Sequence, residues 1–140
     1  MRTVRDADGS VYLLVKESAE SSRVRDPRTG EETHLPNDEL EPAGGVDPLE
    51  AAAEAVPEPT RRVLTAARDV RALGLLVELR TRGPLAVRTV LAEYDRCESD
   101  VHALFAEYRA AGLVETTDVG GERGYGLTED GERGVDALVE

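Results

Sequence analysis

The sequence predicts an α+β fold in which a small antiparallel sheet precedes several helices and a C-terminal β-hairpin. Within residues 1–41, short apolar segments alternate with turn-forming residues, which is typical of antiparallel strands. From residue 58 onward, apolar residues recur at helical spacing until glycine-rich turns separate two further strands. We therefore predict three regions: a β module at 1–41, a linker with a short helix at 42–57, and a domain that opens with a long helix at 58–140.

Two hairpins are predicted in the β module, because each of two turn-forming segments lies between short strand-like segments. The turns occupy residues 6–10 and 26–30, where Pro27 presets the second turn and Gly30 can adopt positive φ. The strands are predicted at 3–5, 11–16, 22–25 and 32–35. Their apolar content is low, so we expect a sheet with one dry face that needs another surface for stability.

The linker is predicted from turn-forming residues that follow the second hairpin. Pro42, Gly44 and Gly45 favour an irregular connection. Asp47 followed by Pro48 is typical of a helix start, because Asp can cap the helix and proline suits its first position. This short helix is expected to end near residue 56, before two prolines.

A long helix is predicted from Thr60, which would cap it, to Gly83, which precedes a proline. Its apolar residues form two seams, and a helix that is apolar on two sides needs two partners. We predict that one seam faces the domain core and that the other forms a homodimer interface, with cover by the N-terminal sheet as the alternative. The predicted dimer interface consists of Val63, Ala67, Val70, Leu73 and Val77.

Two short helices joined by a tight turn are predicted next, at about 85–94 and from Ser99 onward, and they form a helix-turn-helix. At about 100° per residue, the second helix has a core face and an outward face. The core face carries Val101, Leu104, Phe105 and Tyr108. The outward face carries Ser99, His102, Ala103, Ala106 and Ala110.

A hairpin and a last helix complete the chain. Strands at 113–117 and 123–127 flank Gly120 and Gly121, which permit a tight reversal, and Thr128 caps the last helix. Gly112 at the helix exit and residues 125–131 after the hairpin resemble winged helix-turn-helix transcriptional regulators of prokaryotes. The resemblance covers about residues 70–140, the C-terminal half of the chain, and makes 58–140 a winged helix-turn-helix domain.

The chain is strongly acidic, with a net charge of -12, and Lys16 is the only lysine among 17 basic residues. Abundant Asp, Glu and Ala, with Arg in place of Lys, resemble the proteins of salt-loving archaea, so a haloarchaeal type of regulator is expected. In a cytoplasm near molar salt the Debye length falls to about 3 Å, so the acidity does not exclude binding to a polyanion.

The resemblance implies that the helix from Ser99 enters the major groove of double-stranded DNA while the hairpin contacts the backbone or the minor groove. Predicted phosphate contacts are Arg88, Arg96 and Arg123, with solvent-exposed ion pairs as the alternative for each. The full set of predicted DNA-binding residues is Arg88, Arg96, Ser99, His102, Ala103, Ala106, Arg109 and Arg123.

The alanine-rich outward face offers few donors for base recognition. We therefore expect a DNA-binding transcriptional regulator, dimeric and weakly base-specific, with a winged-helix module that binds a protein partner as the alternative. A small-molecule-binding or enzymatic protein is the third hypothesis.

No catalytic, cofactor or metal site is predicted. Cys97 is the only cysteine, which excludes an internal disulfide, and we expect it to fill the turn, with a redox-sensing thiol as the alternative. His34 and His102 are too few and too far apart in sequence to indicate a metal site. No apolar segment approaches the roughly 18 residues of a membrane span, and no signal peptide is evident. We therefore expect a cytoplasmic protein that is not an enzyme and does not contact a membrane.

Overall fold

The computed structural model describes residues 1–139, which combine helices and strands as the sequence predicts. They form two compact units that meet in sequence between Val56 and Pro57. The first unit is dominated by strands and the second by helices.

The first unit is built on an antiparallel sheet that includes all four predicted strands. Its strands are β1 (Arg2–Arg5), β2 (Val11–Glu17), β3 (Ser21–Arg25), β4 (Glu32–Pro36) and β5 (Glu41–Pro42). Their order is β4-β3-β2-β1-β5, so the two predicted hairpins join through the β2–β3 pair. β5 was not evident from the sequence, because a two-residue strand leaves no pattern of alternation.

The segment predicted as a linker belongs structurally to the sheet. Helix α1 (Pro48–Ala53) contacts β2 and buries Ala51, and Asp47 caps its first turn as predicted. The hydroxyl group of Thr3 donates a hydrogen bond to the carbonyl oxygen of Ala43 at 3.0 Å. Residues 43–53 are therefore attached to the first unit and do not form a free connection.

The second unit contains two short helices joined by a turn, a hairpin and a last helix, in the order that the sequence predicts. Its helices are α2 (Glu58–Ala66), α3 (Val70–Arg82), α4 (Val87–Glu93), α5 (Glu98–Ala110) and α6 (Glu129–Asp136). Its strands are β6 (Leu85–Ala86), β7 (Val114–Val119) and β8 (Glu122–Leu127), in the order β6-β8-β7. The short strand β6 extends the predicted hairpin to a three-stranded sheet.

The single long helix predicted at the start of this unit is wrong. The chain leaves helical geometry at Ala67, and Asp69 starts α3 by accepting a hydrogen bond from the backbone N–H of Ala72 at 2.8 Å. An Asp side chain in this position satisfies a free N–H group and so favours a new helix start over continuation. Thr60 is not a cap either: it is buried, and its hydroxyl group donates to the carbonyl oxygen of Gly134.

This break also divides the predicted dimer interface. Val63 is 0% exposed within its own unit, so it is removed from the predicted interface. Leu73 and Val77 are half-buried against the same core, and Ala67 is half-buried at the break. Val70 is 83% exposed and remains available to a partner.

Helix α6 is attached to the rest of the unit through two glycines. A Cβ atom at Gly134 would lie 2.5 Å from the carbonyl oxygen of Pro59 and 2.8 Å from Cγ2 of Val63. A Cβ atom at Gly131 would collide with the carbonyl oxygen of Leu113. Because these obstacles are mainly backbone atoms, α6 would have to move away from α2 to admit a side chain.

The Gly134→Ala substitution is therefore expected to lower the free energy of unfolding by about 1–3 kcal/mol, the usual cost of overpacking. Gly74→Ala is the matched control, because Gly74 is also helical but a methyl group there would meet no atom within 4 Å. This control is expected to raise the free energy of unfolding by about 1 kcal/mol through helix propensity. Urea denaturation followed by circular dichroism measures both, and equal effects would contradict the close approach of α6.

Candidate nucleic-acid interface

Helix α5 is held in place by its buried face. Val101, Phe105 and Tyr108 are buried, which confirms the predicted core face of this helix. The ring of Phe105 stacks on that of Tyr125 in β8, with 4.2 Å between ring centroids. The hydroxyl group of Tyr108 donates a hydrogen bond to the carbonyl oxygen of Ala72 in α3 at 2.5 Å. The helix is thus fixed to the hairpin on one side and to α3 on the other.

The opposite face of α5 points to solvent, as the helical spacing predicts. Its exposed residues are Ser99, His102, Ala103, Ala106, Arg109 and Ala110. His102 lies 3.5 Å from the carboxylate of Glu98, one turn earlier. Alanine side chains reach only about one carbon beyond the backbone, so this face allows close approach of a partner but offers few hydrogen-bond donors.

The side chain of Cys97 is not buried in the turn between α4 and α5. Cys97 is exposed at the N-cap position of α5, which corrects the expectation of a small apolar residue inside the turn. Its Sγ atom lies 3.1 Å from Oγ of Ser99, and hydrogen bonds from Ser99 and from backbone N–H groups lower the pKa of the thiol. Asp95 supplies the reversal with a left-handed φ of 49°.

A residue cluster that the sequence pattern did not reveal supports this turn. Arg82, at the end of α3, donates hydrogen bonds to the hydroxyl group of Tyr94 at 2.6 Å and to the carboxylate of Glu93 at 3.0 Å. Its guanidinium group also lies 5.9 Å from the centre of the Tyr94 ring. A basic residue in a last helical turn is a common signal, but its partners became evident only from the tertiary structure.

The hairpin that follows α5 is short and fully paired. Val119 and Glu122 are the last paired residues, and Gly120 and Gly121 between them have φ values of 60° and 86°. Positive φ at both central residues is the requirement of a type I′ turn, which glycine meets without strain. Arg123 follows the turn, with its guanidinium group 5.9 Å from the centre of the Tyr125 ring.

The four arginines predicted to bind DNA differ in their surroundings. Arg88 is exposed and lies 3.3 Å from the carboxylate of Glu122 on the hairpin, so the structure places it in a surface ion pair. Arg123 donates to the hydroxyl group of Tyr125 at 3.3 Å. Within residues 1–139, Arg96 and Arg109 have no ion-pair partner. Neither of these two guanidinium groups is therefore engaged by a carboxylate of the described residues.

Acidic side chains lie beside these arginines. Glu98, Asp100 and Glu107 are exposed on α5, and Glu107 pairs with Arg68.

No group of three or more His, Cys, Asp or Glu side chains in the described part of the chain is arranged to hold a metal ion. No helix in residues 1–139 is long and apolar enough to cross a membrane.

One family model matches nearly the whole chain. It is described as "Family of unknown function (DUF7346)" and matches residues 1–139. The chain belongs to this family. The family model therefore includes both units of the DUF7346 chain. The resemblance to winged helix-turn-helix regulators concerns only residues 70–140.

Two solved structures are similar to the DUF7346 chain. The transcriptional regulator HlyU from Vibrio vulnificus CMCP6 is 24% identical, with a TM-score of 0.49 over 61% of this chain and 90% of that chain. An ArsR family transcriptional regulator is 18% identical, with a TM-score of 0.43 over 59% of this chain and 84% of that chain. No curated protein matches the DUF7346 chain.

The Tyr108 hydrogen bond in the DUF7346 chain predicts a loss of stability in alkaline solution. Burial, followed by the nearby carboxylates of Asp69 and Glu107, raises the pKa of Tyr108 above its ordinary value of 10.0. An unfolded tyrosine loses its proton near that value while the folded one keeps it, so stability is complete below about pH 10 and falls as the pH rises further.

Tyr108→Phe is therefore expected to lower the free energy of unfolding by about 1 kcal/mol at neutral pH and to make its decline above pH 10 shallower. Urea denaturation at several pH values measures both effects. Val90→Ala is the control, because it removes buried apolar volume without a titratable group and should retain the wild-type slope. Equal slopes in Tyr108→Phe and wild type would contradict the prediction.

Proposed function

We propose that the second unit is a winged helix-turn-helix that binds double-stranded DNA and that the chain is a transcriptional regulator. The observation that carries this proposal is the division of α5 into a buried face and a solvent-facing one. Val101, Phe105 and Tyr108 fix the helix. The outward face is exposed and takes no part in the core; it carries Ser99, His102, Ala103, Ala106 and Arg109. A helix supported in this way can enter a major groove without rearrangement.

The proposed contacts to DNA combine close approach with a small number of cations. Ala103 and Ala106 allow the helix backbone to come near the base edges, and Ser99 and His102 supply the available polar groups. Arg96, Arg109 and Arg123 are proposed to contact phosphates. Arg88 would contribute after exchanging Glu122 for a phosphate group.

High salt reduces the repulsion that the acidity of the chain would oppose to this activity. A net charge of -12 repels DNA at long range, and near molar salt the screening length of about 3 Å removes most of that repulsion. Contacts at hydrogen-bond distance are weakened less than repulsion across tens of ångströms. We therefore propose a high-salt cytoplasm as the working environment, as the composition indicates.

A homodimer is part of the proposal, with a corrected interface. The large apolar side chains that are exposed in the described part of the second unit are Leu64 at 51%, Val70 at 83% and Leu138 at 42%. Leu64 lies on α2 and Leu138 lies just beyond the C-cap of α6, and these two helices pack against each other. The half-buried residues Ala67, Leu73 and Val77 stay in the proposed interface, and Leu64 takes the place of Val63 in it.

A protein partner is the alternative occupant of the α5 face. The observation that favours it is the composition of that face, where alanines dominate and Arg109 is the only arginine. Such a face can pack against an apolar surface of another protein. This alternative predicts no binding to DNA in any salt concentration.

DNA binding is tested by electrophoretic mobility shift with genomic fragments of the source organism in about 2 M potassium chloride, where charges are strongly screened. Arg123→Glu and Ala106→Glu are each expected to weaken binding about tenfold or more, because each places a carboxylate near phosphates. Arg5→Glu is the matched control for Arg123→Glu, because it makes the same charge change in the first unit, and it should leave the affinity unchanged. Absence of any shift by the wild-type chain would reject DNA binding.

Dimerisation is tested by light scattering near molar salt. The expected mass is about twice the 15.1 kDa of the chain. Leu64→Glu should return the chain to a monomer, whereas Leu49→Glu, at a position exposed in the first unit, should not. A wild-type mass of 15.1 kDa would reject the dimer without affecting the test of DNA binding.

A further inference from the structure

The second unit contains a cavity of about 450 Å³ between α3, α4 and α5. This volume lies within the range of about 300–1,000 Å³ that is usual for small-molecule sites. Arg71, Gly74 and Glu78 line it from α3, and Arg96 and Asp100 line it from the turn before α5 and the first turn of α5. The cavity is separate from the outward face of α5, because Leu104, which lines it, belongs to the opposite, core-facing side of that helix.

The inner part of the cavity is apolar. Ala72, Val90 and Val101 are buried at its base, and Leu75 and Leu104 are half-buried along its sides. Apolar walls of this kind favour a ligand that buries hydrocarbon or an aromatic ring. They do not by themselves define which charges the ligand carries.

The charged residues of the lining are balanced in number, and four of them are free to bind. Arg68 is occupied by Glu107, and the carboxylate of Asp69 caps α3. Two cations, Arg71 and Arg96, and two anions, Glu78 and Asp100, are left. None of these four has an ion-pair partner within residues 1–139.

Such an arrangement suits a ligand that carries both signs of charge. A carboxylate alone would meet Glu78 and Asp100, and an ammonium group alone would meet Arg71 and Arg96. In either case two like charges would oppose binding. A zwitterion can satisfy both pairs.

Gly74 provides an independent reason to regard the cavity as a site. It lies within α3, where glycine is less stable than alanine, and a Cβ atom there would meet no atom within 4 Å. Packing therefore does not require glycine at this position. The absent side chain keeps open the wall of the cavity that α3 forms.

We propose that this cavity binds a small zwitterion with an apolar side chain, of the chemical class of the apolar α-amino acids. The ligand's carboxylate pairs with Arg71 and Arg96, its ammonium group pairs with Glu78 and Asp100, and its side chain rests on Leu75 and Leu104. Arg96 belongs both to this site and to the proposed phosphate contacts. The proposal is nevertheless tested separately from DNA binding, because each activity has its own assay and the positions that are varied, Arg71, Gly74 and Asp100, are outside the proposed DNA contacts.

The chain has no Trp, so L-tryptophan serves as a fluorescent probe when it is excited at a wavelength that the tyrosines of the protein do not absorb. Its fluorescence anisotropy is expected to rise to saturation as protein is added. Tryptamine lacks the carboxylate and indole-3-propionate lacks the ammonium group, so each is expected to bind at least about tenfold more weakly. Shifts of the Gly74 amide signal in NMR spectra give a second readout, with L-phenylalanine and L-leucine as further probes.

Three variants and a control link binding to the cavity. Gly74→Leu should abolish binding by filling the cavity, and its circular dichroism should remain that of a folded helical chain because the position has open space. Arg71→Gln and Asp100→Asn should each weaken binding about tenfold, whereas Arg5→Gln should have no effect. Saturable binding that survives Gly74→Leu would overturn the proposal. So would an affinity for tryptamine or indole-3-propionate equal to that for L-tryptophan, or a failure of L-tryptophan, L-phenylalanine and L-leucine all to bind.

Discussion

The stacking of Phe105 on Tyr125 is the contact on which the second unit depends most. Phe105 is fully buried and lies on the helix proposed to meet DNA, while Tyr125 belongs to the central strand of the three-stranded sheet. The stack therefore fixes the angle between helix and hairpin. Tyr108 adds the connection to α3 through the carbonyl oxygen of Ala72. Phe105, Tyr108 and Tyr125 are buried and would not touch DNA themselves, but they determine where the proposed DNA-contacting residues lie.

The surface charges divide into those that support the fold and those that remain available. The pair of Arg80 with Asp136 links α3 to α6, and the pair of Arg62 with Asp130 links α2 to α6. Arg71, Arg96 and Arg109 have no such partner within the described residues. A count of basic residues cannot separate these classes, because pairing depends on tertiary neighbours. The net charge of the chain is therefore a poor guide to the cations that a ligand would meet.

Local signals in the sequence predicted the local structure well. Alternation and turn residues predicted the first four strands, and helical spacing predicted the buried face of α5. Two predictions were wrong because another contact outweighed the local pattern. The apolar spacing continues through residue 69, but Asp69 caps a new helix there. Thr60 was predicted as a helix cap, but it is buried against Gly134. The cavity beside Gly74 was not predictable, because its walls come from three helices. In the candidate site, helical spacing predicted which residues of α5 are exposed, but it could not predict that Arg88 pairs with Glu122.

The two-glycine turn of the hairpin has a consequence for how DNA would be distinguished. Pairing continues to Val119 and Glu122, so the hairpin has no long loop that could adapt to a groove. A rigid wing beside an alanine-rich helix can fit only those duplexes whose groove width and bending already match it. Under the proposed activity, selection among sequences would rest on the shape and stiffness of the duplex more than on the identity of single bases.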